Sequence, residues 1–280
     1  MGDSARKEII GDAHVHFHSC YQWPRFLSAA HENLTRYGTE GEQGDHQLCC
    51  LVFTETRDEH MFDLLVERAG SGAAVSTDNE TPSWHAQATG EDCSVRLTDG
   101  ERSLTVVAGS QIAAREDLEV LVVGSRKRWP DGLPIREILQ QTQNDDVVRI
   151  IPWGAGKWLF SRGRLLDDLV REFAGDGLFL GDEAGRPAFW PRASQFDRAL
   201  DHGVKDLPGS DPLPFSYEVD KVGRMGFAVQ APWQEDQPAR SLIAALRDSQ
   251  SELRTFSSLE PLHRFLVSQF KMQVRKRARR

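Results

Sequence analysis

Short apolar runs bounded by turn residues alternate with segments of helical spacing along most of the chain, and this alternation constrains the fold more than any other feature. It is the pattern of a largely parallel sheet whose strands are joined by crossover helices. The run "HQLCCLVFTET" is apolar almost throughout, as a strand covered on both faces must be. The spacing predicts a first strand from Glu8 to His16. A helix follows Pro24, with Phe26, Leu27, Ala30 and Leu34 on one face, and closes near Gly38. "EHMFDLLVERAG" reads as the next helix, closed by Gly70. The pattern then breaks: residues 71–83 are polar and loop-like, and "SVRLTDGERSLTVVAG" alternates with period two around Asp99-Gly100. That is a hairpin signal, placed as a β-hairpin insertion around residues 84–110. Strand "LEVLVVG" follows. The strand "VVRIIPWG", the strand "LFLGD" and a strand "VKDLPGSD" then alternate with helices "IREILQQTQ", "RLLDDLVREFAG" and "ASQFDRALDHG". Helices at "ARSLIAALRDS" and from about Leu259 complete the chain. With no fixed repeat and no linker, the expectation is one α/β domain over residues 1–280, an irregular (β/α) TIM-like barrel.

At 280 residues the chain can bury roughly 75% of its unfolded surface without disulfides. Its four cysteines show no CxxC or zinc-ribbon spacing, and no N-terminal apolar stretch resembles a signal peptide, so a cytoplasmic protein with free thiols is expected. No window approaches the ~20 apolar residues of a membrane span, which excludes membrane insertion from the expectations. A net charge of −8 sets nucleic acid aside as a partner, except through the basic C-terminal stretch "KMQVRKRARR" at 271–280, which reads as a solvated end.

In such barrels the functional groups gather at the carboxyl ends of the strands. Polar and ionisable residues recur there: His14 and His16, Thr54 and Glu55, Gln111, Trp153 and Lys157, Asp182 and Glu183, and Asp211. Residues two apart on a strand share a face, so His14 and His16 can aim at one ion, at about 2.0–2.1 Å from each nitrogen if it is zinc. His18 falls in the following loop. Asp211 would supply an oxygen ligand or act as general base. The bland alternative is a strand that merely carries hydrogen-bonded imidazoles.

The segment "GDAHVHFH" resembles the opening strand of the metal-dependent hydrolases of the amidohydrolase and PHP (polymerase and histidinol phosphatase) superfamilies. "VFTET", "VVAGSQIAAREDLEVLVVG" and "PGSDPLP" are similar to later PHP strand ends, and the likeness runs from about residue 8 to 215. The resemblance implies a distorted (β/α)7 barrel, divalent metal at the strand ends and hydrolysis of a phosphoester. The chain also departs from that pattern. Glu55-Thr56 stands for Asp-His, Gln111 for glutamate, Leu213 for the last histidine, and "IPWG" for an Ala-His-Pro turn. What survives is His14, His16 and Asp211, with Glu55 and Asp182 as further candidate ligands. That is enough for one ion, zinc or manganese, and too little for three.

"PWGAGKW" is not a phosphate-binding P-loop, because Ile151 replaces the first glycine and Trp158 the Ser or Thr. Lys157, Arg162 and Arg164 nonetheless lie in a Gly-rich segment before a helix, where an anion is favoured, the alternative being a solvated basic loop. Arg186 and Gln111 are candidates to contact substrate, and Trp153, Trp158 and Trp190 to line a pocket or simply close the barrel. Three functions follow: a PHP-like hydrolase of a small anionic substrate, a non-catalytic relative serving as a binding or scaffold protein, and an amidohydrolase acting on a C–N bond.

Overall fold

The computed structural model describes residues 6–38, 47–76, 82–175 and 177–278. The first half of the chain forms β1 (Arg6–Val15), α1 (Trp23–Thr35), β2 (Gln47–Glu55), α2 (Met61–Ser71), β3 (His85–Ala88), β4 (Ser94–Thr98), β5 (Ser103–Ala113), β6 (Glu119–Val123) and α3 (Ile135–Gln141). The second half forms β7 (Val148–Pro152), α4 (Phe160–Phe173), β8 (Leu178–Gly181), α5 (Gln195–Leu200), a 3-10 turn (Ser216–Lys221), β9 (Gly226–Pro232), α6 (Pro238–Arg247), β10 (Leu253–Phe256) and α7 (Leu262–Ala278).

The main sheet runs β10-β9-β1-β2-β5-β6-β7-β8. The β1–β2, β2–β5 and β7–β8 pairs are parallel. Beyond β8, segment 206–211 forms bridges from Asp206 to Leu180 and from Gly209 to Glu183. On its other side Asp211 N–H donates to His14 O at 2.9 Å and Ala13 N–H to Pro208 O at 3.4 Å. The sheet therefore curls, and 206–211 lies between its last strand and β1, in a mixed α/β fold of TIM-like character. Only glycine permits this approach: a Cβ on Gly209 would stand 2.3 Å from His14 N.

Side-chain alternation explains the continuous apolar runs. In β2, Cys49, Leu51 and Phe53 face α1 and α2, while Cys50 and Val52 face the opposite core with Val107, Phe227 and the buried side of α6. A separate apolar cluster joins α3, α4 and α5 to the outer face of β6 to β8. Each fully buried Leu, Ile or Phe contributes about 1.5–3 kcal/mol. Leu242, Ile243 and Leu246 of α6 close the end of the sheet opposite the histidines with apolar contacts alone.

Several expectations need correction. β6 runs antiparallel to both β5 and β7, so the uniform strand-helix alternation is interrupted. The hairpin forms around Asp99-Gly100, but its second arm is β5, itself a central strand of the sheet. Residues 204–211 make isolated bridges where a strand was expected, because Pro208 lacks an N–H to continue a ladder. β9 and β10 were not expected at all; β9 pairs antiparallel with the first half of β1. Gly72, in the left-handed conformation, caps α2 where Gly70 was expected. The polar stretch at 71–83 is described only outside 77–81. Most of the basic stretch 271–280 belongs to α7 and is not a frayed end; residues 279 and 280 lie outside the described residues.

Candidate metal centre

The centre begins with an irregularity in β1. Register against β2 shifts between Asp12 and Val15, a bulge that re-aims the side chains that follow. Asp12 is fully buried at this point, and its carboxylate accepts three backbone hydrogen bonds: from His14 N (3.2 Å), Ser210 N (2.8 Å) and Gly223 N (2.8 Å). One side chain thus ties β1, the turn bearing Asp211 and the turn after the 3-10 segment. Burial pushes the Asp12 carboxyl up to about 6, although those bonds draw it down.

Around this anchor His14, His16 and Asp211 bring one ligand atom each to within 4.8 Å of one another, and no other such group of three occurs among the described residues. His14 Nε2 and His16 Nε2 are 3.1 Å apart, and Asp211 Oδ1 lies 3.7 and 3.8 Å from them. Ligands of a tetrahedral zinc sit about 3.3 Å from each other, so this triangle fits an ion of that size. Gln111 Oε1 is 3.0 Å from His14 Nε2 and 2.8 Å from His16 Nε2, a fourth ligand atom on the same spot and the second oxygen. His14 Nδ1 is buried with no hydrogen-bond acceptor, and the nearest carboxylate is Glu183 at 3.6 Å. The donor set therefore fits one divalent cation.

Charge around the cluster is uneven. His16 Nδ1 meets Glu59 Oε2 at 2.9 Å, the carboxylate-histidine arrangement that orients a metal-binding imidazole. Burial opposes protonation of His16, but Glu59, then Asp211 and Gln111, push it up to about 9. Glu59 in turn is held far below the carboxylate range: burial works against this, and the bonds from His16, His18 and Thr56 N–H outweigh it. His14 moves the other way, its pKa lowered chiefly by burial. Asp211 is kept low, despite burial, by His14, His16, Lys157 and Lys221. Glu183 is raised well above the ordinary range, first by burial and then by Asp211.

The remaining expected residues divide into two groups. Lys157 pairs with Glu119 at 2.5 Å and lies within the field of Glu183 and Asp211, and Trp153 borders a cavity of about 70 Å³ shared with Glu183, Asp211 and Phe265 of α7. The other five do not join the cluster. Glu55 accepts from Phe62 N–H at 2.8 Å and pairs with Arg128 at 2.6 Å, anchoring the start of α2. Asp182 is clasped by Arg186 through bonds of 2.7–3.2 Å, and Arg186 also donates to Trp190 O. Arg162 donates to the carbonyls of Lys157 and Gly156, and Arg164 lines a separate cavity beside α4. The expectations of Glu55 and Asp182 as ligands are corrected accordingly, since each already has a strong partner; of the expected anion cluster Lys157, Arg162 and Arg164, Arg162 is turned to backbone carbonyls, and Arg186, expected to contact substrate, is held by Asp182. Glu183 was noted at its strand end without an assigned role, and Glu59 was not expected: it is one acid among several in "TETRDE", and nothing in that stretch distinguishes it.

No family model matches the chain and no curated protein matches it. Among solved structures, it is similar to PsfC from Pseudomonas syringae PB-5123, 13% identical over 96% of this chain and 99% of that one, with a TM-score of 0.55. That likeness is one of fold. It is also similar to the lesion-specific endonuclease PfuEndoQ from Pyrococcus furiosus, 12% identical over 88% of this chain with a TM-score of 0.49. An Endonuclease Q complex with a 27-mer duplex bearing an abasic lesion at the active site matches at 11% identity, over 88% of this chain, also at 0.49. The chain spans 57% and 58% of those two proteins. Two of these neighbours are endonucleases, one of them bound to a duplex, so the expected partner is corrected on one point: a small anionic molecule with nucleic acid set aside does not describe the proteins this chain is similar to. The expectation rested on a net charge summed over the whole surface, which does not describe the charge beside one site. No helix among the described residues is long and apolar enough to cross a membrane.

Proposed function

We propose that the chain is a metal-dependent phosphoesterase of the PHP type, a single barrel with segment 206–211 as its seventh stave, and that its substrate is a nucleic-acid phosphodiester. The observation that carries this reading is the convergence of His14 Nε2, His16 Nε2 and Asp211 Oδ1 on one point. His14, His16 and Asp211 would hold one zinc or manganese ion, with Gln111 beside it. When bound, such an ion supplies Lewis acidity toward phosphoryl oxygen and water.

The chain's own groups do the rest. Glu59 fixes the His16 ring, and Asp12 fixes the backbone of both His14 and the Asp211 turn. Asp211, ionised, is the base within reach of a water at the cluster. Glu183, buried beside His14 and drawn well above the ordinary carboxylate range, is read as the general acid for the leaving oxygen. Lys157 adds a fixed positive charge on the same side.

Support for a polyanionic substrate comes from α7. Its Phe265, Ser268 and Gln269 border the cavity that reaches Asp211, Lys271 lies 4.4 Å from the Tyr217 ring, and Arg275 donates to Pro214 O. Two of the basic residues of that stretch, Lys271 and Arg275, thereby lie near the loop that follows Asp211.

The test is hydrolysis of single-stranded and duplex oligonucleotides with added zinc or manganese, run beside Asp211→Asn. Cleavage by the wild type that falls at least 100-fold in Asp211→Asn is the expected result, on the scale of losing a general base. Cleavage equal in both proteins contradicts the reading.

A further inference from the structure

On the other side of Trp153 lies a second and larger cavity, of about 510 Å³, between the loop after β7, the start of α4 and residues 190–195. Its volume is that of a site for a ligand of moderate size. Trp153 borders both cavities, so a ligand filling the larger one sits one indole away from Asp211 and Glu183.

Three observations describe what it takes. Trp153 and Trp190 stand edge to face at 6.1 Å, presenting aromatic surface to the cavity. Trp158, also lining it, is 2% exposed, and its indole N–H is buried with no acceptor among the described residues. A buried donor of this kind costs about 1–3 kcal/mol unless something accepts its bond. Arg164 lies at the rim, exposed and without a hydrogen-bond or ion-pair partner among the described residues. The other charges there cancel: Arg198 holds Asp167 at 3.0 Å and Arg192 holds Asp206 at 2.9 Å. Phe160 adds a fourth point. It is 84% exposed at the rim with a φ of 56°, a backbone state that a bulky residue adopts only at a cost.

We propose that this cavity is a nucleobase site, which receives a base of a nucleic-acid strand whose adjacent phosphate meets Arg164. A base supplies a flat π face for Trp153 and Phe160, and a carbonyl or ring nitrogen to accept the Trp158 N–H. A strand rather than a free nucleotide is favoured because the cavity opens at the surface beside an arginine without a partner among the described residues and lies one indole, Trp153, away from the cavity that reaches Asp211. This inference rests on the phosphoesterase reading for its substrate class but not for its test.

The test is binding of a short fluorescein-labelled single-stranded oligonucleotide, followed by anisotropy with chelator present so that no metal chemistry enters. Phe160→Ala and Trp158→Phe should each weaken binding about fivefold to tenfold, the size of a lost stacking or hydrogen-bonding contact. Arg164→Gln should lower the slope of log affinity against log salt by about 0.7, the value of one phosphate contact on a single strand. Phe160 and Arg164 are exposed, so their variants should melt with the wild type, and Trp158→Phe keeps an aromatic six-membered ring while removing the indole N–H. Strand binding that all three variants leave unchanged overturns the proposal. Capture of a mononucleotide as tightly as the oligonucleotide, with the same variant sensitivity, overturns the strand as source. If the chain proves to hold no metal but the three variants behave as stated, the phosphoesterase reading fails and the base site stands.

Discussion

The two halves of β1 are built on different principles. From Arg6 to Gly11 the strand pairs with β2 on one side and β9 on the other, and Ile9 and Ile10 are fully buried in opposite cores. From Asp12 onward β9 is gone. The neighbour is segment 206–211, joined by two backbone–backbone hydrogen bonds and by Ser210 N–H to the Asp12 carboxylate, and the side chains turned inward are His14 and His16. The first half is held by many interchangeable apolar contacts. In the second half a few directed bonds each have a separate job, and losing one should change binding more than stability.

The largest effect should come from the apolar half. Phe227, fully buried against Gly11, should cost about 3–5 kcal/mol when replaced by Ala, read from urea unfolding, while the folded fraction keeps its metal affinity. Asp12→Ala strips the acceptor from three backbone N–H groups. It should cost about 3 kcal/mol and, unlike the first variant, also abolish metal retention, measured on the fraction that remains folded. Glu59→Gln should leave the melting temperature within about 2 °C of wild type yet weaken zinc binding about 10- to 100-fold by titration against a competing chelator. The smallest change is expected from Gln111→Glu, which adds a negative charge 2.8 Å from His16 Nε2. Metal affinity should rise about tenfold with little change in the stability of the metal-loaded protein.

The same division explains what could be read from the sequence. β2 and the helices α1, α2 and α4 follow from apolar periodicity, which is a local property of the chain. β9 was missed because "GFAVQAP" follows no crossover helix and pairs antiparallel with a strand more than two hundred residues earlier. At the centre, His14 and His16 are legible because a strand fixes the direction of residues two apart, and Asp211 because it ends a strand-like segment. Glu55 and Asp182 look equally suitable by position, and only the structure reveals that Arg128 and Arg186 already hold them. Glu59 left no mark because its place depends on how a loop folds back toward β1.

The central claim is that the polar half of β1 exists to hold one ion. The direct measurement is the metal content of protein purified without chelator or affinity-tag metal, beside His14→Ala/His16→Ala. About one zinc or manganese per chain in the wild type and none in the folded double variant is the predicted result. A wild type that stays empty after dialysis against zinc and manganese, or a double variant that retains the ion, would contradict it.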